Sequence, residues 1–293
     1  MNIPLLERIK RLIIIAMFSD DYLMERFVLK GGNLLDVVYG VASRASIDLD
    51  FSIEGEFAAE ETKAIEEKLS RTLKTTFQAE GFEVFDIRFL ERPERKRHYA
   101  VDFWGGYRVE FKIIAAAKYR ELSHDLRALR TGATVVGAKQ QKTFTIDISK
   151  FEYCTPKSEH DLEGYTVYVY TLEMIVFEKL RAICQQMPEY EEIIPNPGRS
   201  ARARDFFDIY TVLEHFAIDL ATEQNVQLLK NIFEAKRVPL RFLGLIGNYR
   251  DYHRQDFRAV QDTVKAGTQL QDFDYYFEYV LRKCEALKSL WVM

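Results

Sequence analysis

Two aspartates one residue apart, Asp48 and Asp50 in "SIDLDFS", form the carboxylate pair best spaced for chemistry. On a strand, residues i and i+2 leave the same face with their Cα atoms about 7 Å apart. Two anions held that close repel each other unless a cation lies between them. Mg²⁺, or Mn²⁺ in its place, suits such a pair, because it takes one or two carboxylates and fills its other positions with phosphate oxygens and water. The competing reading of an Asp-x-Asp triplet is a strand whose polar face meets solvent.

The residues just upstream favour phosphate. Gly31 and Gly32 open a short helix in "LKGGNLL", and a glycine turn at a helix start leaves backbone N–H groups uncovered for phosphate oxygens. As an ordinary connector the same turn would have no reason to lead straight into the Asp-x-Asp strand. Glu110 in "YRVEFKII" is a candidate third carboxylate, able to hold a second metal ion or to deprotonate an incoming hydroxyl. Asp102 is the second candidate for that role, and a cross-strand salt bridge with basic neighbours is the alternative for Glu110. Lys179 lies among apolar residues in "VFEKLRAI" and needs an anionic partner, either protein or phosphate. Asp205 and Asp208 share a helix face in "RDFFDIY" and could meet it, unless Asp205 only caps its helix.

The elements that must position these groups follow from periodicity. The spacing predicts an amphipathic helix over 4–18, a second near 22–26, a brief extended run "FVLK", and a two-turn helix stopped by Gly40. "SIDLDFSIE" alternates strictly and reads as a half-buried strand. A charged helix over 58–80 precedes two or three antiparallel strands, "FEVFDIRFL", "HYAVDFW" and "YRVEFKII". A helix near 118–129 and extended segments "KTFTIDIS" and "YTVYVYT" come next. The rest is helical, with "TLEMIVFEKLRAICQQM" and "ARDFFDIYTVLEHF" on either side of a Pro/Gly/Arg-rich loop. The order is α+β, with a mixed or antiparallel sheet followed by a mainly helical part, and the boundary is expected near residue 165, giving domains 1–165 and 166–293.

Composition narrows the classes. The 293 residues, 47% of them apolar, can bury a sizeable core, and no apolar run approaches the roughly 20 residues that span a bilayer, so no membrane role is expected. The three cysteines are widely spaced and form no CxxC pattern, which argues against a disulfide framework or zinc site and fits a reducing cytoplasm. The five histidines show no metal-binding spacing. A net charge of −4 excludes a protein that coats nucleic acid nonspecifically, while leaving local basic faces at "ERPERKRH" and "PGRSARARD".

With these residues in place, the chain resembles the AbiEii/AbiGii family of nucleotidyltransferase toxins, within the DNA polymerase β-like nucleotidyltransferase superfamily. The resemblance rests on "LKGGNLL…SRASIDLDFS", "EKLRAI" and "RARDFFDIY", in that order. It implies a polymerase β-like fold in which Gly31 and Gly32 hold phosphate, Asp48 and Asp50 bind metal, and Arg44 and Ser46 line the nucleotide site. Lys179, Asp205 and Asp208 would complete that site from the second domain, and Asn33 would offer an amide where relatives often have a hydroxyl. The 189–204 loop is longer than the family leads one to expect and could adjust substrate choice.

The resemblance further implies a toxin of a toxin–antitoxin or phage-defence system. No winged-helix segment is legible, so any antitoxin would be a separate protein. The first reading is a Mg²⁺-dependent transfer of a nucleoside monophosphate from an NTP to the 3′ hydroxyl of an RNA, tRNA above all. A protein hydroxyl is the alternative acceptor, and an idle nucleotide-binding or partner-sequestering protein is the alternative class. A metal-dependent glycosyltransferase would explain Asp-x-Asp but not the glycine turn.

Overall fold

The computed structural model describes residues 3–41, 48–93, 102–136, 140–265 and 267–291. The chain forms two compact units, one built from residues through 30, 48–93 and 105–169, the other from 31–41, 102–104 and 170–291. The sequence-expected positions Arg44 and Ser46 lie outside the described residues, as do Arg95, Lys96 and Arg97 of the first basic cluster.

The first helices are α1 (Ile3–Phe18) and α2 (Asp21–Arg26), followed by β1 (Val28–Lys30), α3 (Gly32–Val37) and β2 (Leu49–Ser52). After them come α4 (Thr62–Ala79), β3 (Phe82–Arg92), β4 (Gly106–Ala115), α5 (Ala116–Leu122), α6 (Leu126–Gly132), β5 (Phe144–Ser149), β6 (Lys157–Leu162) and β7 (Tyr165–Tyr170). The seven strands form one mixed sheet in the order β3-β4-β5-β2-β1-β7-β6. β2 pairs antiparallel with β1 and parallel with β5, and β4 pairs antiparallel with both β3 and β5.

Alternation gives the sheet two unlike faces. Leu49, Phe51, Val109, Phe111, Ile113, Ile146 and Ile148 are buried on one of them. α1 and α4 cover that face, with Phe18 packed on Phe51 and Phe77 on Phe111 at ring separations of 6.0 and 6.2 Å. Each such side chain contributes roughly 1.5–3 kcal/mol by leaving water. The Asp20 carboxylate caps α2, accepting from the Leu23 N–H, and also receives Lys68 and Arg71 from α4. Part of the opposite face is covered by α5 and α6, where Phe85, Ile114, Leu129 and Ala133 form a small apolar cluster.

The second unit is helical around α7 (Leu172–Cys184), α8 (Ala203–His215), α9 (Glu223–Glu234), α10 (Arg250–Arg254), α11 (Phe257–Gln261) and α12 (Phe273–Glu285). α7 starts where the Thr171 hydroxyl accepts from the Met174 N–H, and it is buried along most of its length. α8 and α12 meet through aromatic pairs, Phe206 with Phe277 and Phe207 with Tyr276, both with ring centroids 5.1 Å apart. Cys154, Cys184 and Cys284 are buried and free, and burial pushes the Cys154 and Cys284 thiols up to about 12. Among the described residues no helix is long and apolar enough to cross a membrane.

Four local expectations are corrected. The helix expected near 118–129 is two helices, because the Asp125 carboxylate accepts from the N–H groups of Arg127 and Ala128 and starts α6 afresh. Asp102 and Phe103, expected on a strand, form a turn, and α4 begins at Thr62 rather than at residue 58. β6, a charged strand turned back on β7 at Glu163–Gly164, was not anticipated.

His253 is fully buried and its Nδ1 accepts the backbone N–H of Arg202 at the start of α8. Burial pulls its pKa down to about 4, with Arg202 and Arg199 adding to the effect against the opposing charge of Asp205. Above pH 6.5 the imidazole is neutral in both folded and unfolded chains and costs nothing. As pH falls below 6.5, the unfolded chain takes up a proton that the folded protein refuses until about pH 4, so stability declines across that window. His253→Gln keeps an acceptor but does not titrate. Denaturant titrations at pH 7 and pH 4 should show the variant losing about 2–3 kcal/mol less than the parent; equal losses would remove His253 from the acid sensitivity.

Candidate active site

Register, not sequence proximity, assembles the acids of the first unit. Lys30 on β1 lies opposite Asp50 on β2, Asp50 lies beside Asp147 on β5, and Asp147 lies opposite Arg108 on β4. Residues paired across a sheet point to the same side, so these four side chains form one transverse row on the polar face. Asp48 is exposed two residues before the half-buried Asp50 on that same face. Lys30 is buried and forms an ion pair with the buried Glu152, with N and O 3.5 Å apart.

Asp147 is the residue that sequence reasoning missed. It stands on "FTIDIS", whose alternation was visible, but only the parallel pairing of β5 with β2 makes it the immediate neighbour of Asp50. The Arg108 guanidinium donates to both its carboxylate oxygens, at 2.7 and 3.1 Å. These bonds raise the basicity of Arg108 most; burial opposes them, and the charges of Asp147, Glu110 and Asp48 add to the rise. The Arg108 cation therefore sits in the field of three carboxylates.

Glu110 is on the expected strand and in the same sheet, although β5 separates it from β2. Of the basic residues around it, Arg108 binds Asp147, Lys112 lies 3.5 Å from Asp86, and Arg88 on β3 lies directly opposite it in register. Asp102, the second candidate, does not share the sheet of the pair. It belongs to the other unit, is 89% exposed, and faces Arg237 at 3.9 Å.

The donors present suit a hard divalent cation. Among the described residues no three His, Cys, Asp or Glu side chains converge as a complete metal cage. Two carboxylates on one face are the kind of pair by which Mg²⁺ is held, with phosphate oxygens and water in its other positions.

The chain leaves β1 at Lys30 and turns at Gly31, whose φ of 80° lies in the left-handed region that favours glycine. Gly32 begins α3, and Asn33 is buried within the second unit. Lys179, Asp205 and Asp208 do come together, as the sequence suggested. The Lys179 Nζ donates to Asp205 at 2.9 Å and to Asp208 at 2.7 Å, and all three residues are buried. Asp205 is not the cap of α8; Arg202 holds that position. The arginines of the 199–204 loop are also engaged. Arg199 donates to the Gln186 carbonyl and lies over Tyr252, Arg202 is 3.8 Å from Asp205, and Arg204 is 3.9 Å from Asp256.

Comparisons with known proteins bear on the family and the fold. The family described as "Nucleotidyl transferase AbiEii toxin, Type IV TA system" matches residues 13–279. A crystal structure from Helicobacter pylori described as that of a nucleotidyltransferase is similar over 97% of this chain and 94% of its own, at 18% identity and a TM-score of 0.50. The crystal structure of JHP933 from Helicobacter pylori is similar over 97% and 91%, at 19% identity and a TM-score of 0.49. No curated protein matches the sequence.

Removing the lysine from the buried cluster leaves two carboxylates close together without their cation. Lys179→Met should therefore cost about 3–5 kcal/mol of stability in urea titrations, and adding Asp205→Asn and Asp208→Asn should restore much of it. A single variant as stable as the parent would show that the cluster does not hold α7 to α8.

Proposed function

This chain belongs to the nucleotidyl transferase AbiEii toxin family of type IV toxin–antitoxin systems, and we propose that it moves a nucleoside monophosphate from an NTP to the 3′ hydroxyl of an RNA, with tRNA as the acceptor. The observation that carries this reading is the exposed Asp48 beside the half-buried Asp50, on a sheet face shared with Glu110, Asp147 and Arg108. The family implies a nucleotide substrate and an antitoxin; we take the antitoxin to be a separate protein.

In this reading Asp48 and Asp50 hold the Mg²⁺ or Mn²⁺ that accompanies the NTP, with Glu110 as a third carboxylate. When bound, that ion neutralises triphosphate charge and acidifies the acceptor hydroxyl. Glu110 takes the hydroxyl proton, its same-strand basic neighbours Arg108 and Lys112 facing Asp147 and Asp86. The acceptor oxygen bonds to the α-phosphorus, the bond from that phosphorus to the bridging oxygen breaks, and pyrophosphate leaves. Arg108 and Asp147 are each 38% exposed, so their ion pair contributes at most about 1 kcal/mol. Arg108 can therefore leave Asp147 and turn its planar fork to phosphate oxygens.

The backbone of Gly31 and Gly32 is assigned to the triphosphate, and Arg44 and Ser46 to the nucleotide, on the strength of the motif they share with the family. Lys179 is assigned to phosphate charge on the same ground. It can reach a phosphate only by giving up one of its buried aspartates, Asp205 or Asp208. A protein hydroxyl is the second acceptor, favoured by the neutralised arginines of the 199–204 loop.

The test is incubation with Mg²⁺, total tRNA and each labelled NTP in turn. Asp48→Ala and Asp50→Ala should abolish transfer while the melting transition is preserved, and retained transfer in either folded variant would sink the assignment. Label on a protein rather than on RNA would establish the second acceptor. Glu110→Gln should lower kcat by about 10²–10⁴-fold with little change in the KM for NTP, whereas an unchanged kcat would remove Glu110 as the base.

A further inference from the structure

The whole chain is net acidic, yet one stretch of the first unit is strongly basic. The described residues of 116–142 include Lys118, Arg120, Arg127, Arg130 and Lys142, against only Glu121 and Asp125. One of those acids is spent locally, since Asp125 caps α6. Arg120 and Arg127 are exposed.

This basic surface lies on the sheet face that carries the carboxylates. Phe85, which anchors α5 and α6, pairs in register with Lys112. Lys112 follows Glu110 by two residues on β4, so the two share a face about 7 Å apart. Asp86 links Lys112, at 3.5 Å, to Arg130 on α6, at 2.7 Å. Between α6 and the residues leading into β5 is a concavity of about 620 Å³, lined by Leu126, Arg127, Arg130, Thr131, Gln140 and Lys142. Leu126 is 51% exposed there.

We propose that the α5–α6 surface binds the phosphodiester backbone of the acceptor nucleic acid; this rests on the RNA reading above. Three cations, one of them (Arg130) already held by Asp86, with a hydroxyl and an amide around one hollow suit phosphate oxygens, and the exposed Arg127 fork matches them in bidentate fashion. The juxtaposition of charges selects the ligand further. A basic surface beside a row of carboxylates fits a molecule that is anionic along its length but neutral at its reacting end. A polynucleotide ending in a 3′ hydroxyl is such a molecule, whereas a uniformly acidic polypeptide would meet repulsion at the acids.

The experiment is titration of labelled total tRNA by fluorescence anisotropy across a salt series, with the Arg120→Glu/Arg127→Glu/Lys142→Glu variant beside the parent and the Asp48→Ala/Asp50→Ala variant. The charge-reversed protein should bind RNA at least about tenfold more weakly, and its slope of log affinity against log salt should fall by about 2–3, at roughly 0.7–0.9 per phosphate contact. It should still bind Mg²⁺–NTP as the parent does, which confirms its fold, and the aspartate variant should bind RNA as the parent does. Unchanged RNA affinity and slope in the charge-reversed protein would overturn the proposal. Displacement of the RNA by polyglutamate at equal charge would overturn it in favour of an acidic protein partner. Transfer that survives in the aspartate variant would sink the catalytic assignment alone, because RNA binding is read independently of it.

Discussion

A one-residue slip of β2 against either neighbour would carry Leu49 and Phe51 out of the core and turn Asp50 into it. Both outcomes are costly, since two buried apolar side chains would meet water and a carboxylate would lose it. The packing of α1 and α4 on the apolar face thereby holds the acids of the polar face in place. The same constraint acts on β4 and β5, where Val109, Phe111 and Ile146 are buried on the side opposite Arg108, Glu110 and Asp147.

Charge is arranged at short range in both units, under different physical conditions. Arg108 and Asp147 meet where solvent screens them, so their pairing is weak and exchangeable. Lys179, Asp205 and Asp208 meet where water is excluded, and there each charge depends on the others. One arrangement suits groups that change partners during a reaction, the other suits groups that hold helices together.

The net charge of −4 conceals an uneven distribution. The arginines of the 199–204 loop look basic in the sequence but face acids or ring systems. The cations of 116–142 draw less notice, being spread along the chain, yet Arg127, Arg130 and Lys142 line one hollow.

Much of the molecule was legible before the structure, because the information was local. Strict alternation in "SIDLDFSIE" placed Asp48 and Asp50 on one face, periodicity located α7 and α8, and their spacing brought Lys179 to Asp205 and Asp208. The motifs, in their order, were enough to point to the family that residues 13–279 match. Strand order was not legible, since any alternating strand can pair with any other, and only tertiary packing set β5 between β4 and β2. That choice made Asp147 the neighbour of Asp50, gave Arg108 an acid other than Glu110, and left Asp102 in a turn of the other unit. Side-chain type and period are properties of a segment, whereas a partner across a sheet depends on the whole chain settling its apolar faces at once.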